Sequence, residues 1–233
     1  FCLKIANAMT EAAMDAAVRF LKPGVRECEV LALAWKTMTD LGSEWTQCSN
    51  IVASGPYTAP YRRFTSDRII RLGDLVIIDI GGCFNGYYGD FTRTWVCGDV
   101  APTEAQIDVH QRCYDALHRG AAACVPGNTN AQVVEAAGEE HVLSSLGHGS
   151  GLNPWEPPHF SVTSKTDPMV LQANMVANLE PYYGVPGIGG VRLEHDLVIR
   201  SDGPEIYTTY PFDDRLVKEV HPLDATTGRV IRR

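Results

Sequence analysis

The sequence predicts an α+β domain built from two similar halves, each a pair of helices followed by antiparallel strands. Three observations predict it. Helical periodicity and strand-like runs occur in the same order twice along 233 residues. A Pro-Gly break separates the helices of each pair, in FLKPG at 20–24 and ACVPG at 123–127. Acidic residues recur beside the late strands of each half, in VIIDIGG and YYGDFTRT, then in ANLEPYY and GGVRLEHD.

Residues 3–22 carry Leu3, Ala6, Met9, Ala13, Ala17 and Leu21 near helical spacing, and Pro23-Gly24 ends that helix. A second helix is predicted over 26–41, with Val30, Leu31, Leu33, Ala34 and Met38 inward. Strands follow at 45–53, 75–80 and 87–97. The last two flank the turn 81–86, whose Asn85-Gly86 pair is a strong hairpin signal. Thr103 caps a third helix running to about Val125, with Glu104 in its favourable first turn. Pro126-Gly127 breaks it, and 130–143 reads as a shorter fourth helix. Strands are expected at 158–163, 174–180 and 190–200. The domain is expected to span 1–212, with 213–233 a mostly irregular tail. The start at Phe1 without a Met is consistent with an excerpt that lacks a preceding domain.

The length is ample for a core, and 45% hydrophobic with 21% charged residues is ordinary for a globular protein. The net charge of −8 argues against nucleic acid as a partner, because phosphate binding rests on cationic neutralisation. No apolar run reaches the roughly 18–20 residues that cross a bilayer, and no signal peptide is visible, so no membrane partner is expected. Seven scattered cysteines without a CxxC pair are read as reduced thiols of a cytoplasmic protein.

Asp79, Asp90, His148, Glu180 and Glu194 are candidate metal ligands. Four carboxylates and an imidazole suit two divalent cations sharing a site. Two carboxylates about 4 Å apart repel by roughly 4 kcal/mol at an effective dielectric of about 20, so four cannot stay ionised together without counter-charge. Asp79 and Asp90 lie across a hairpin, and antiparallel pairing can put both on one face. His148 sits in GHGSG, where glycines allow close backbone approach. Neither that run nor GIGG is a phosphate loop, and no GxSxG elbow is present. His110 and His118 on the third helix are expected to face solvent.

Over roughly residues 1–200 these segments resemble the pita-bread metalloenzymes, the family of methionine aminopeptidase, Xaa-Pro aminopeptidase, prolidase and creatinase. SGPYTAPYRRFTSDRIIRLGDLVIIDIGGCFNGYYGDFTRT, GHGSGLNPWEPP and NMVANLEPYYGVPGIGGVRLEHD are close to its prolidase-like branch. The resemblance implies a pita-bread fold whose pseudo-symmetric halves enclose a dinuclear site. Asp79 would chelate one metal, Asp90 and Glu194 would bridge, and His148 and Glu180 would bind the other. It also implies two ions of manganese, cobalt, iron or zinc, a homodimer, and in many members an additional N-terminal domain. Arg192 matches the branch as a partner that orients a carboxylate.

The chain departs from the family's peptidases where they carry histidines. Arg62 or a near neighbour, Ser144 and Trp155 stand at those positions. A positioned acid or base contributes about 10²–10⁴ in rate, so replacements are needed, and His159, His195, Tyr61 and Tyr182 are the candidates. Arg62 or Arg63 could hold a carboxylate, and Trp155 with Tyr57 or Tyr61 offers aromatic faces. The expected function is a dinuclear metallohydrolase that cleaves a C–N bond by a metal-bridging hydroxide, acting on a short Xaa-Pro peptide or a small non-peptide amide. Two alternatives accompany it. One is a metal-dependent lyase or other non-peptidase of this fold acting on a small carboxylate, and the other is an inactive binding homologue.

Overall fold

The computed structural model describes residues 1–44, 50–138 and 145–225. The predicted Ser144 position therefore lies outside the described residues, as do Cys48 and the end of the fourth predicted helix.

The first half opens with α1 (Cys2–Phe20) and α2 (Glu27–Asp40), packed against each other. Their apolar faces bury Ala13, Met14, Ala17, Val30, Ala34 and Met38 over a three-stranded antiparallel sheet. Its strands are β1 (Ile51–Ser54), β2 (Leu75–Ile80) and β5 (Phe91–Val96), in the order β1-β2-β5. A small hairpin, β3 (Cys83–Phe84) and β4 (Tyr87–Tyr88), lies between β2 and β5. Its turn has Asn85 at φ +50° and Gly86 at φ +77°, the left-handed geometry that favours Asn-Gly.

The second half repeats the plan on a larger scale. α3 (Glu104–Ala123) is capped by Thr103, whose hydroxyl accepts from the Gln106 amide at 3.2 Å. α4 (Asn130–Ala137) is capped in the same way by Thr129 and ends at Gly138, with φ +97°. These helices cover a five-stranded sheet. Its order is β12-β11-β8-β6-β7, from β6 (Gly147–Gly149), β7 (Glu156–Phe160), β8 (Val176–Leu179), β11 (His195–Arg200) and β12 (Gly203–Ile206). A further antiparallel pair, β9 (Tyr182–Val185) and β10 (Gly189–Arg192), abuts β2 and β5 of the first half.

The Pro-Gly breaks make the internal repeat explicit. The Gly24 amide donates to the Ile70 carbonyl at 2.9 Å, and the Gly127 amide donates to the Leu171 carbonyl at 3.0 Å. Two residues on, Arg26 bridges to Ile69 and Thr129 to Val170. The halves thus share a helix–break–helix unit tied by its break to a sheet lead-in, as the sequence predicts.

Two predicted strands are each split in two. The run 87–97 breaks at Gly89-Asp90, and 190–200 breaks at Leu193-Glu194. Gly89 lies close against α1, where a Cβ would lie 2.8 Å from Thr10 Oγ1 and 2.9 Å from the Ala6 carbonyl carbon. Past β12 the chain is irregular except for a short 3₁₀ turn at Asp214–Leu216. Asp213 and Leu216 are nevertheless fully buried, and the Val96 amide donates to Asp213 Oδ2 at 3.0 Å.

His110 and His118 correct the expectation that they face solvent: both are fully buried on α3. The helix is long enough to be covered on two sides, and His118 packs against Tyr114, Phe212, His195 and His221. Burial pushes the pKa of each imidazole down to about 4.

Candidate metal centre

Strand register explains how distant acids meet. β2 and β5 pair with Asp79 opposite Thr92, so Asp79, Thr92 and Asp90, two residues before it, share one face. In the other half His195 pairs with Leu179, which sets Glu180 and Glu194 side by side at adjacent strand ends. His148 pairs with Asn178, the residue two before Glu180, so it points to the same face. Its glycine neighbours are required by close approach. A Cβ on Gly147 would lie 2.0 Å from the Asn178 carbonyl oxygen, and one on Gly149 would lie 2.6 Å from that of Pro157.

All five predicted ligands are buried and converge. Asp79, Asp90 and Glu194 each offer an oxygen within 4.8 Å of the other two. On the other side His148 Nε2 lies 3.6 Å from Asp90 Oδ2 and 3.7 Å from Glu180 Oε1. Asp90 thus adjoins both groups.

Hydrogen bonds occupy the outer atoms of the set. His148 Nδ1 is 3.0 Å from the Gly149 carbonyl, which can only accept, so Nδ1 carries the proton and the buried Nε2 is a lone pair. That Nε2 and Glu194 Oε1 have no hydrogen-bond partner among the described residues. The Thr92 hydroxyl donates to Glu194 Oε2 at 2.9 Å. Arg192 donates to Asp79 Oδ2 at 2.5 Å through Nη1 and to Glu180 Oε2 through Nη2. Tyr61 donates to Asp79 Oδ2 at 3.1 Å and stacks on Tyr182 with ring centroids 5.2 Å apart.

The electrostatics fit a cation. Burial, followed by the neighbouring carboxylates, holds Asp90 and Glu194 well above the usual carboxylate range. Arg192 balances one charge of the four. Oxygen-rich, partly orphaned and anionic, the cluster suits divalent ions, and the imidazole Nε2 suits a borderline metal.

A cleft of about 510 Å³ opens over this cluster, lined by Tyr61, Arg62, Ser145, His148, Trp155, His159, Glu180, Tyr182 and Arg192. Tyr61, Arg62, Trp155, His159 and Arg192 thus line one cleft with His148 and Glu180. Trp155 is half-exposed and meets His148 edge to face at 6.4 Å. Arg63, the alternative to Arg62, is turned onto the Tyr57 ring at 4.5 Å.

His195 is not gathered. Alternation sends it to the opposite face from Glu194, where it is buried with Nδ1 2.9 Å from Thr208 Oγ1 and Nε2 3.4 Å from His118 Nε2. Since His118 Nδ1 must donate to the Tyr114 carbonyl, the proton between the rings belongs to His195 Nε2. Neither ring lines the cleft. The same alternation reveals a residue the sequence reading missed: Asp196, two beyond Glu194, is fully buried with neither oxygen hydrogen-bonded among the described residues. Burial, then Glu11, raises its pKa well above the usual range. A period of two from Glu194 was the available signal.

Residues 2–201 match the family model described as "Metallopeptidase family M24". An Xaa-Pro dipeptidase of Pyrococcus furiosus is 35% identical over 208 residues, 86% of this chain and 58% of the relative. Among solved structures, an Xaa-Pro dipeptidase from Bacillus anthracis superposes with a TM-score of 0.82 at 31% identity, over 91% of this chain and 61% of that one. An X-Pro aminopeptidase from Thermotoga maritima gives 0.82 at 32% identity, over 90% and 60%. The chain thus spans under two thirds of the length of these proteins. The pita-bread architecture expected from the sequence is the architecture found.

Proposed function

The chain belongs to metallopeptidase family M24, and from that premise we propose that it is a metal-dependent hydrolase cleaving the C–N bond of a small amide, of the Xaa-Pro peptide kind or a non-peptide relative. The observation that carries the proposal is the convergence of Asp79, Asp90 and Glu194 within 4.8 Å, next to His148 and Glu180, which line an open cleft.

In this reading the five residues hold two divalent cations, with manganese, cobalt, iron and zinc as candidates. When bound, such cations supply Lewis acidity to a substrate carbonyl and lower the pKa of water. The chain's own residues do the rest. Arg192 and Tyr61 hold Asp79 through its Oδ2. Thr92 does the same for Glu194, and the Gly149 carbonyl fixes the His148 tautomer. His159 is the exposed imidazole on the cleft wall and takes the part of a proton carrier.

The reading extends to the context in which the chain acts. A homodimer is proposed on the resemblance alone. A reducing cytoplasmic setting is supported by the six described cysteines, all free thiols. Among the described residues no helix is long and apolar enough to cross a membrane.

The test combines elemental analysis with turnover. Protein expressed in metal-replete medium is expected to carry one to two transition-metal ions per chain, and Asp90→Ala to lose them. Hydrolysis of an Xaa-Pro dipeptide or an N-acyl amino acid with manganese or cobalt is expected, and Asp90→Ala is expected to abolish it. Metal-free protein with Asp90→Ala of unchanged stability would sink the proposal.

A further inference from the structure

We propose that His118 and His195, closed by His221 from the C-terminal segment, form a second metal site, separate from the acid cluster and suited to a borderline ion such as zinc. The inference stands independently of the hydrolase reading.

The spacing of the two buried rings carries it. Their Nε2 atoms are 3.4 Å apart and their ring centroids 5.1 Å apart. A head-on N–H···N contact of that length would set the centroids about 5.7 Å apart. Two imidazoles sharing one tetrahedral ion, each nitrogen at about 2.0–2.1 Å from it, would have nitrogens about 3.3–3.4 Å apart and centroids about 5.2 Å apart. The rings thus converge at an angle on a common point, the arrangement of two ligands of one ion.

The outer nitrogens are held as metal-bound histidines require. His118 Nδ1 donates to the Tyr114 carbonyl at 2.8 Å, which leaves Nε2 a lone pair. His195 Nδ1 lies 2.9 Å from Thr208 Oγ1. A hydroxyl accepts as readily as it donates, so His195 can carry its proton on Nδ1 and present a second lone pair, an ion taking the place of the proton between the rings. Burial holds both imidazoles below their ordinary range, and the neutral ring is the form that binds metal.

The third ligand comes from the tail. His221 stacks on His118 with centroids 4.8 Å apart, and its amide donates to the Tyr114 hydroxyl at 3.1 Å. It is half-buried, which gives an ion a way in, and a turn of its side chain brings a ring nitrogen to the shared point. Asp224, which accepts from the Tyr114 hydroxyl at 2.7 Å, supplies counter-charge to both rings against Arg93. An all-nitrogen set favours a borderline ion, whereas the oxygen-rich acid cluster on the opposite face of β11 also suits harder ones.

Zinc titration of chelator-stripped Asp90→Ala tests this, since that substitution is expected to empty the acid cluster. One zinc per chain is expected to stay bound through gel filtration, as counted by elemental analysis. Adding His118→Asn or His221→Asn is expected to weaken it by about tenfold or more, with thermal melts in chelator checking that each variant folds. An ion that Asp90→Ala retains and His118→Asn releases belongs to this pair and says nothing against the hydrolase reading. Should Asp90→Ala not fold, the parent chain is titrated past two equivalents of zinc while its histidine side-chain proton–nitrogen spectra are recorded, and the Nε2 signals of His118 and His195 are expected to shift. If no zinc stays on Asp90→Ala, if either histidine substitution leaves the affinity within about twofold, or if those signals stay in place past saturation, the site is overturned.

Discussion

Acidification should destabilise this fold through His118, and the size can be worked from its surroundings. His118 is buried between Tyr114, Phe212, His195 and His221, with Asp224 and Arg93 as the nearby charges. Burial pushes its pKa down to about 4, against 6.5 for the unfolded imidazole. The folded state therefore binds fewer protons than the unfolded state between those values. No stability is lost above the unfolded value, and it declines as pH falls toward the folded one, at about 1.4 kcal/mol per pH unit. By pH ~5 the loss from this one group is about 2 kcal/mol, and its limit is about 3 kcal/mol. Against a total of about 5–15 kcal/mol for a typical domain that is a large share. The assay is urea denaturation from pH ~8 to ~4.5 on the parent chain and on His118→Asn. The asparagine amide can keep the hydrogen bond to the Tyr114 carbonyl and cannot titrate. Buried carboxylates affect both proteins alike, so the difference reads His118 together with its hydrogen-bonded neighbour His195. If the two slopes coincide between pH ~6.5 and ~4.5, the burial argument for His118 is refuted.

Other perturbations have equally definite outcomes. Tyr61→Phe removes one of the two donors on Asp79 Oδ2 and should weaken metal binding by about 10–100-fold with little change in melting temperature, as read by competition with a chromogenic chelator. Gly147→Ala drives a methyl group to 2.0 Å from the Asn178 carbonyl oxygen, and a thermal melt should show a loss of about 3 kcal/mol or more. Stripping the metal should lower stability, and the gap to the loaded protein should widen as pH rises. Asp90 and Glu194 have folded pKa values raised above their unfolded ones, so the stripped fold is favoured at low pH and loses that advantage as they ionise. Parallel calorimetric scans with and without chelator read that gap.

Much of this could be read from the residues, and the misses have physical causes. The helices were legible because apolar spacing and the Pro-Gly breaks act locally. The acids were legible because VIIDIGG is too apolar to leave Asp79 exposed without a purpose. The close approach at Gly89 was not, since the crowding there comes from Ala6 and Thr10 on α1, far along the chain. His110 and His118 were misjudged because polarity on a helix says nothing about a second layer packed over it. Strand alternation turns His195 away from the face of Glu194 and returns Asp196 to it, which adjacency in sequence conceals. The choice between Arg62 and Arg63 needed the Tyr57 ring, which captures one of them.

The proposed ligands are divided between the halves: Asp79 and Asp90 come from one, His148, Glu180 and Glu194 from the other. Neither half can assemble more than a fragment of the site, and a one-residue slip in either sheet would turn its acids to the wrong face. In the proposed reading, metal uptake would act as a proofreading step for the whole chain. A cation held at this seam would select molecules whose halves have docked in register, and it would join segments about a hundred residues apart, a closure whose entropy the folded chain has already met. Chains with a mis-seated half would remain unmetallated, which couples completion of the fold to activation.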